Sequence, residues 1–149
     1  MGIVTENTNR VQNGGFEESD FENQNIDPFW TSEGGVVIGR NGPQLLGQQN
    51  ANLLIDASIS QELLPLDPGK IYEFRFAVSA SGAIPATGTI DIAIDGVPVQ
   101  SFQAGNLVSI NAYVMYAFTF EALDANPTLT ITNNSNHSIS IDEVSVFRK

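Results

Sequence analysis

The chain of 149 residues has no cysteine, one histidine, one tryptophan, and six Lys and Arg against 17 Asp and Glu, for a formal net charge of −11. Each shortage excludes something. Without cysteine there is no disulfide scaffold, thiol nucleophile, zinc-thiolate site or iron-sulfur cluster, and the redox compartment is not legible. The basic residues Arg10, Arg40, Lys70, Arg75, Arg148 and Lys149 are scattered. They form no stripe able to displace the counterions of a nucleic acid, and anionic membrane surfaces are disfavoured for the same reason. No run of about 18 apolar residues is present for membrane insertion. The opening MGIVTENTNR lacks the basic-then-apolar order of a secretory leader, so a leader was removed or never used. The one imidazole, His137, sits in the turn-like stretch Asn133-Asn134-Ser135-Asn136-His137, where a solvated loop histidine is the simplest reading, and a Ser-His-Asp triad would have to use it. With no nucleophile motif and no glycine-rich loop before a helix, the expectation is a protein that is not an enzyme.

What is present is β patterning. About 150 residues suffice for one domain that buries roughly 70% of its unfolded surface without staples. In residues 70–79, Tyr72, Phe74, Phe76 and Val78 alternate with Glu73, Arg75 and Ala77, a period of two that separates an apolar from a polar strand face. The alternation returns at Ile90, Ile92 and Ile94, at Val114, Tyr116, Phe118 and Phe120, and at Leu129 and Ile131. Shorter β-rich runs cover 35–38, 52–55, 59–64, 97–102 and 138–147. Turn signals at Asp67-Pro68-Gly69, Asp95-Gly96, Ala104-Gly105-Asn106 and 133–137 separate them. No amphipathic helix stands out. Many short strands, each with one apolar face, predict an all-β fold: an antiparallel two-sheet β-sandwich. Residues 17–27, rich in acids, Asn and Gln, predict a solvated loop ending at Pro28. Residues 1–12 read as an N-terminal arm or a first strand, and residues 13–149 as the domain itself.

At Asn13-Gly14-Gly15-Phe16-Glu17 the chain resembles the opening of the galactose-binding-like jelly rolls, which include carbohydrate-binding modules of families four, nine and twenty-two. Trp30 resembles their early tryptophan. Ile59-Ser60-Gln61 with Leu66-Asp67-Pro68-Gly69-Lys70-Ile71-Tyr72 resembles their central stretch. Tyr113, Tyr116, Phe118 and Phe120 resemble their aromatic strand, and Ile139-Ser140-Ile141-Asp142-Glu143-Val144 their last strand. The chain is also similar to N-terminal domains of firmicute surface proteins with collagen-like repeats. This resemblance implies a jelly roll and, in many such modules, a structural calcium ion. Its side-chain ligands here would be Glu17 and Asp142, completed by backbone carbonyls near Gly15, Gln49 and Asn52, an oxygen set of the kind calcium takes. The simpler alternative is a loop acid and a strand-end acid.

Sugar binding by a jelly roll needs rings outside the core with polar groups beside them. Tyr72, Phe74, Phe76, Tyr116, Phe118 and Phe120 fall on apolar strand faces and read as core. Tyr113 and Trp30 remain as platforms, with Phe29 and Phe21 behind them, although Trp30 also reads as a core plug. Tyr113 with Met115, Glu73, Arg75 and Asp91 would line a shallow polar cleft. Glu73, Asp91, Asp95 and Glu121 are also candidates to share one sheet face, the arrangement that paired-carboxylate glycoside cleavage would use, against the plainer reading of solubilising charges. The competing reading is assembly: Ile3, Val4 and Val11 of the arm would add a strand to a neighbour's open sheet edge, giving a homo-oligomer or a fibre. The expectation carried forward is a surface-exposed structural subunit at a cell or spore surface, extracellular, with carbohydrate recognition of a glycan as the alternative. Nucleic acid and membrane insertion are excluded as partners.

Overall fold

The computed structural model describes residues 7–39, 49–81, 86–107 and 113–149. The described residues form ten strands, β1 Thr31–Glu33, β2 Val36–Gly39, β3 Asn50–Leu53, β4 Ser58–Glu62, β5 Ile71–Ser81, β6 Gly88–Ile94, β7 Val97–Gln103, β8 Val114–Glu121, β9 Thr128–Ser135 and β10 Ser138–Arg148, with a short 3-10 turn at Ala104–Asn106. Two five-stranded sheets result, ordered β1-β4-β9-β6-β7 and β2-β3-β10-β5-β8. Every strand pair is antiparallel. The predicted two-sheet jelly roll is the fold observed.

The alternation seen in the sequence closes the sandwich. Tyr72, Phe74, Phe76 and Val78 of β5 are fully buried, as are Ile90 and Ile92 of β6, Leu129 and Ile131 of β9, and Ile139 and Ile141 of β10. Rings bridge the two layers: Phe102 of β7 stacks on Tyr116 of β8 with centroids 4.3 Å apart, and within the second sheet Phe74 meets Phe118 at 5.3 Å. Each large apolar side chain so buried contributes roughly 1.5–3 kcal/mol. The β6–β7 hairpin turns at Asp95-Gly96, both with positive φ, which is why Asp-Gly suits that two-residue turn.

Three features depart from the expectations. The stretch 133–137 is mostly strand: β9 runs to Ser135, and Asn133 is completely buried. Loop 17–27 is anchored as well as solvated, because Ser19 and Ile26 are buried and the Ser19 hydroxyl donates to the Ile26 carbonyl at 2.8 Å. From Asn9 onward the N-terminal segment is laid into the sandwich. The Arg10 amide donates to the Val146 carbonyl, the Leu64 amide to the Arg10 carbonyl and the Val144 amide to the Gly14 carbonyl. Val11, expected in an arm offered to a neighbour, is therefore corrected to a residue of the chain's own core, 4% exposed. Ile3 and Val4 lie outside the described residues.

Candidate functional site

The second sheet turns one face inward and one outward. Ala51, Leu53, Ile139, Ile141, Phe76 and Val78 point into the core, so strand alternation directs Asn50, Asn52, Ser140, Asp142, Ala77 and Ser79 outward. The register sets two rungs across that face. One runs Val37, Asn52, Ser140 and Ser79; one step on, Gly39 pairs with Asn50 on one side of the sheet, and Asp142 with Ala77 and Met115 on the other. Polar residues on an outer face are ordinarily wet, yet Asn50, Ser79, Ser140 and Asp142 are each at most 3% exposed.

Tyr113 explains part of that cover. It immediately precedes β8, at the edge of the sheet, yet its phenol oxygen accepts a hydrogen bond from Nδ2 of Asn50 on β3 at 3.3 Å. With strands about 4.8 Å apart, β3 and β8 are separated by β5 and β10. The tyrosine therefore lies across the outer face, over the rungs that hold Ser79 and Asp142. Burial first, and the Asp142 carboxylate second, push the phenol well above its ordinary value, while the Asn50 hydrogen bond lowers it. The phenol is neutral at any physiological pH and the side chain is only half-buried, so a ring is presented beside amides and a carboxylate.

Of the other expected cleft residues, Met115 is exposed and follows Tyr113 on the same face. Glu73 and Arg75 lie further along it, paired with each other: Arg75 Nε donates to Glu73 Oε1 at 2.5 Å, and Lys149 Nζ stands 3.5 Å from Glu73 Oε2. The hydrogen bond from Arg75 holds the Glu73 carboxyl below its usual value, against its desolvation. Two expectations need correction. Asp91 belongs to β6 in the first sheet, where Thr89, Ser101 and Asn134 donate to it, so it cannot line a cleft with Tyr113. Desolvation pushes its carboxyl up, but those three donors bring it down on balance. Trp30 is fully buried, stacked on Phe16 at 5.4 Å with its indole N–H donating to the Asn13 carbonyl at 2.8 Å, so it is a core plug and not a sugar platform. The four acids expected to share a face are likewise split, Glu73 and Glu121 on one sheet and Asp91 and Asp95 on the other or at its turn.

The residues expected to hold calcium mostly gather at one corner beside the Tyr113 face. Glu17 Oε2 accepts the Gln49 amide at 2.7 Å, and Gln49 Nε2 donates to the carbonyls of Phe16, at 2.6 Å, and Ser19, at 3.0 Å. A Cβ on Gly15 would stand 3.0 Å from Glu143 Oε1 and 3.9 Å from Asp142 Oδ1, so the missing side chain lets two carboxylates approach the loop. Burial, then the Glu17 charge, raise the Glu143 carboxyl above its usual value. Asn52 lies one rung away, opposite Ser140, its buried Oδ1 without a hydrogen-bond partner. Among the described residues no group of three His, Cys, Asp or Glu is placed to hold a metal ion. Carbonyls would have to supply much of the shell. The carbonyls of Phe16 and Ser19 already accept from Gln49 Nε2, so an ion would draw on others; the carboxylates and carbonyls at this corner are all oxygen ligands, of the kind calcium takes.

Glu143, Asn50, Ser79 and Ser140 escaped sequence reasoning. Their signal is the alternation inside 50–53 and 138–142, which becomes a shared face only once the strand register is known.

Residues 9–144 match the family described as protein of unknown function (DUF642). The chain belongs to the DUF642 family. No curated protein matches this DUF642 chain. Among solved structures it is similar to the CBM22-1 xylan-binding domain of Paenibacillus barcinonensis Xyn10C, at 13% identity and a TM-score of 0.65 over 98% of this chain and 97% of that one. It is also similar to the CBM22-1-GH10 modules of the Clostridium thermocellum xylanase Xyn10B complexed with xylohexaose, at 18% identity and a TM-score of 0.65, covering 95% of this chain and 28% of that one. The resemblance to carbohydrate-binding jelly rolls is thus borne out in fold. A Stig cyclase, Fisc from Fischerella sp. TAU, matches at 14% identity and a TM-score of 0.69 over 93% of this chain and 96% of that one. That match corrects the expectation that the chain is not an enzyme: jelly rolls of this shape include cyclases, so the fold is compatible with catalysis as well as with binding. No finding supports assembly into fibres. Among the described residues no helix is long and apolar enough to cross a membrane.

Proposed function

We propose that this DUF642 chain is a glycan-binding module working outside the cell, and that it binds polysaccharide on the outward face of its second sheet. The observation that carries this reading is the Tyr113 side chain laid across that face and tied to Asn50. A sugar ring needs an aromatic surface for its C–H face and fixed polar groups for its hydroxyls. Tyr113 supplies the first, and the half-buried Asn52 amide with the exposed Arg75 guanidinium supplies the second. The fold shared with xylan-binding modules makes xylan the first polymer to try. In affinity electrophoresis and calorimetry against a polysaccharide panel, the wild type should be retarded by at least one polymer. Tyr113→Ala should lose that binding at least tenfold, and Tyr113→Phe, which keeps the ring, should lose far less. A panel without a single hit, or a hit indifferent to Tyr113→Ala, would overturn the assignment.

We further propose that the corner beside this face holds a structural calcium ion, with Glu17 and Asp142 as its side-chain ligands. Calcium there would tie the loop at Gly15 to the last strand and so steady Asp142 beneath Tyr113.

A further inference from the structure

At the opposite end of β8 from Tyr113, the edge strands of the two sheets, β7 and β8, leave a groove of about 160 Å³ between them. Its floor and walls are apolar: Ile94, Val97, Val99, Phe120, Leu123 and Pro127. Val97 is 61% and Leu123 80% exposed. Large aliphatic side chains so open to water leave apolar surface that a ligand would cover. The rim carries three carboxylates, Asp95, Glu121 and Asp124. Among the described residues no Lys or Arg forms an ion pair with any of them.

Two of these acids crowd each other. Asp95 is fixed at the hairpin turn, where its Oδ1 accepts the Thr128 amide at 2.8 Å. A hydrogen bond with Asp95, a little desolvation and the Asp95 charge together raise the carboxyl of Asp124. Asp95, Glu121 and Asp124 all line this groove, so negative charge gathers on the rim of an apolar slot, an arrangement complementary to one positive charge on an apolar body.

We propose that this groove binds a small organic cation, a protonated amine carried on an apolar body of about one ring. The size follows from the volume, since a cavity of about 150 Å³ takes one benzene ring. The sign follows from the rim, which would repel an anion and a second copy of a chain whose net charge is −11. The apolar lining sets this occupant apart from a bare metal ion, which would leave Val97 and Leu123 uncovered. The site is separate from the Tyr113 face and does not depend on the glycan assignment.

The test is an amide-shift NMR titration of the full chain with 2-phenylethylammonium, its neutral counterpart 2-phenylethanol, and calcium chloride. The ammonium should give saturable shifts centred on Val97, Val99, Leu123 and Asp124, with at least fivefold tighter binding than the alcohol. Asp124→Asn and Asp95→Asn should each weaken it at least threefold. Both residues lie at the surface or in a turn that asparagine tolerates, so the variants should keep the wild-type spectrum elsewhere. Absence of saturable shifts, equal binding of the alcohol, or displacement of the ammonium by millimolar calcium through the same residues would overturn the proposal. Glycan retention should be unaffected by Asp124→Asn.

Discussion

Tyr113 and Asn133 do opposite work with similar polar chemistry. The Tyr113 phenol is half-covered on the outer face, and its raised titration, caused first by burial and then by Asp142, has a consequence for stability. A phenol whose folded value lies above its ordinary value of 10.0 contributes stability that is complete below about pH 10 and is lost as pH rises further. Melting temperatures followed from about pH 9 to pH 12 should therefore fall more steeply for wild type than for Tyr113→Phe; parallel curves would mean the phenol ionises as freely in the folded chain as in the unfolded one. Asn133 is wholly internal. Its Nδ2 donates to the carbonyls of Leu53, Leu54 and His137, and its Oδ1 accepts from the Ser135 amide and hydroxyl. Asn133→Ala would strand several buried acceptors and should cost about 3 kcal/mol in urea unfolding, given roughly 1–3 kcal/mol for each buried group left unsatisfied. A loss under about 1 kcal/mol would mean that water replaces the amide. The composition of 133–137 reads as a turn because Asn and Ser favour turns when exposed. The Leu129–Ile131 alternation, carried one step further, points Asn133 inward, but its polar side chain hides that signal.

Among the elements, β10 carries most of the connections to the candidate corner. It lies between β3 and β5, and its register breaks between Asp142 and Ser145, where Glu143 adopts a φ of 50°. Such a bulge re-aims side chains; here it follows Asp142, which the alternation already directs outward, and turns Glu143 toward Gly15. The loop of Gly14 closes on the same place: a Cβ there would stand 2.0 Å from the Val144 carbonyl oxygen, whose own amide donates to the Gly14 carbonyl. Because the obstacle is backbone, Gly14→Ala should destabilise the fold by about 2 kcal/mol or more and displace the loop at Gly15 with it, as read by chemical denaturation. An unaltered midpoint would show that the loop can slide off β10. The strands β5, β6, β8 and β9 were legible because each alternates cleanly over a long run, with the ends of β9 as the exception. β1, only three exposed residues at Thr31–Glu33, has no apolar periodicity and was not. The corner proposed for calcium was half legible: Glu17 and Asp142 came from the family resemblance, whereas Glu143 and the rungs through Asn50 and Ser140 depend on a register that no single strand encodes. Asp91 was assigned to the wrong layer for the same reason, since alternation gives a residue's face and says nothing about which sheet the strand joins.

Over the whole molecule, a net charge of −11 means that self-repulsion works against the compact state at neutral pH, so any cation will stabilise to some degree. The corner adds a local and separable effect. Glu143, raised from 4.5 by burial and by Glu17, contributes stability that is complete below about pH 4.5 and is lost as pH rises and the carboxyl ionises. A calcium ion held by Glu17 and Asp142 would reverse the balance, because it favours the ionised carboxylates around it. The rise in melting temperature on adding millimolar calcium should therefore be larger at pH 7 than at pH 5. It should collapse in Asp142→Asn, and it should not be reproduced by sodium chloride of equal ionic strength. General screening predicts something else: a similar gain in wild type and variant, matched by sodium. If the melt in chelator equals the melt in calcium, the corner is held by Gln49 and its carbonyl contacts alone, and Glu143 is a destabilising acid with no ion to offset it.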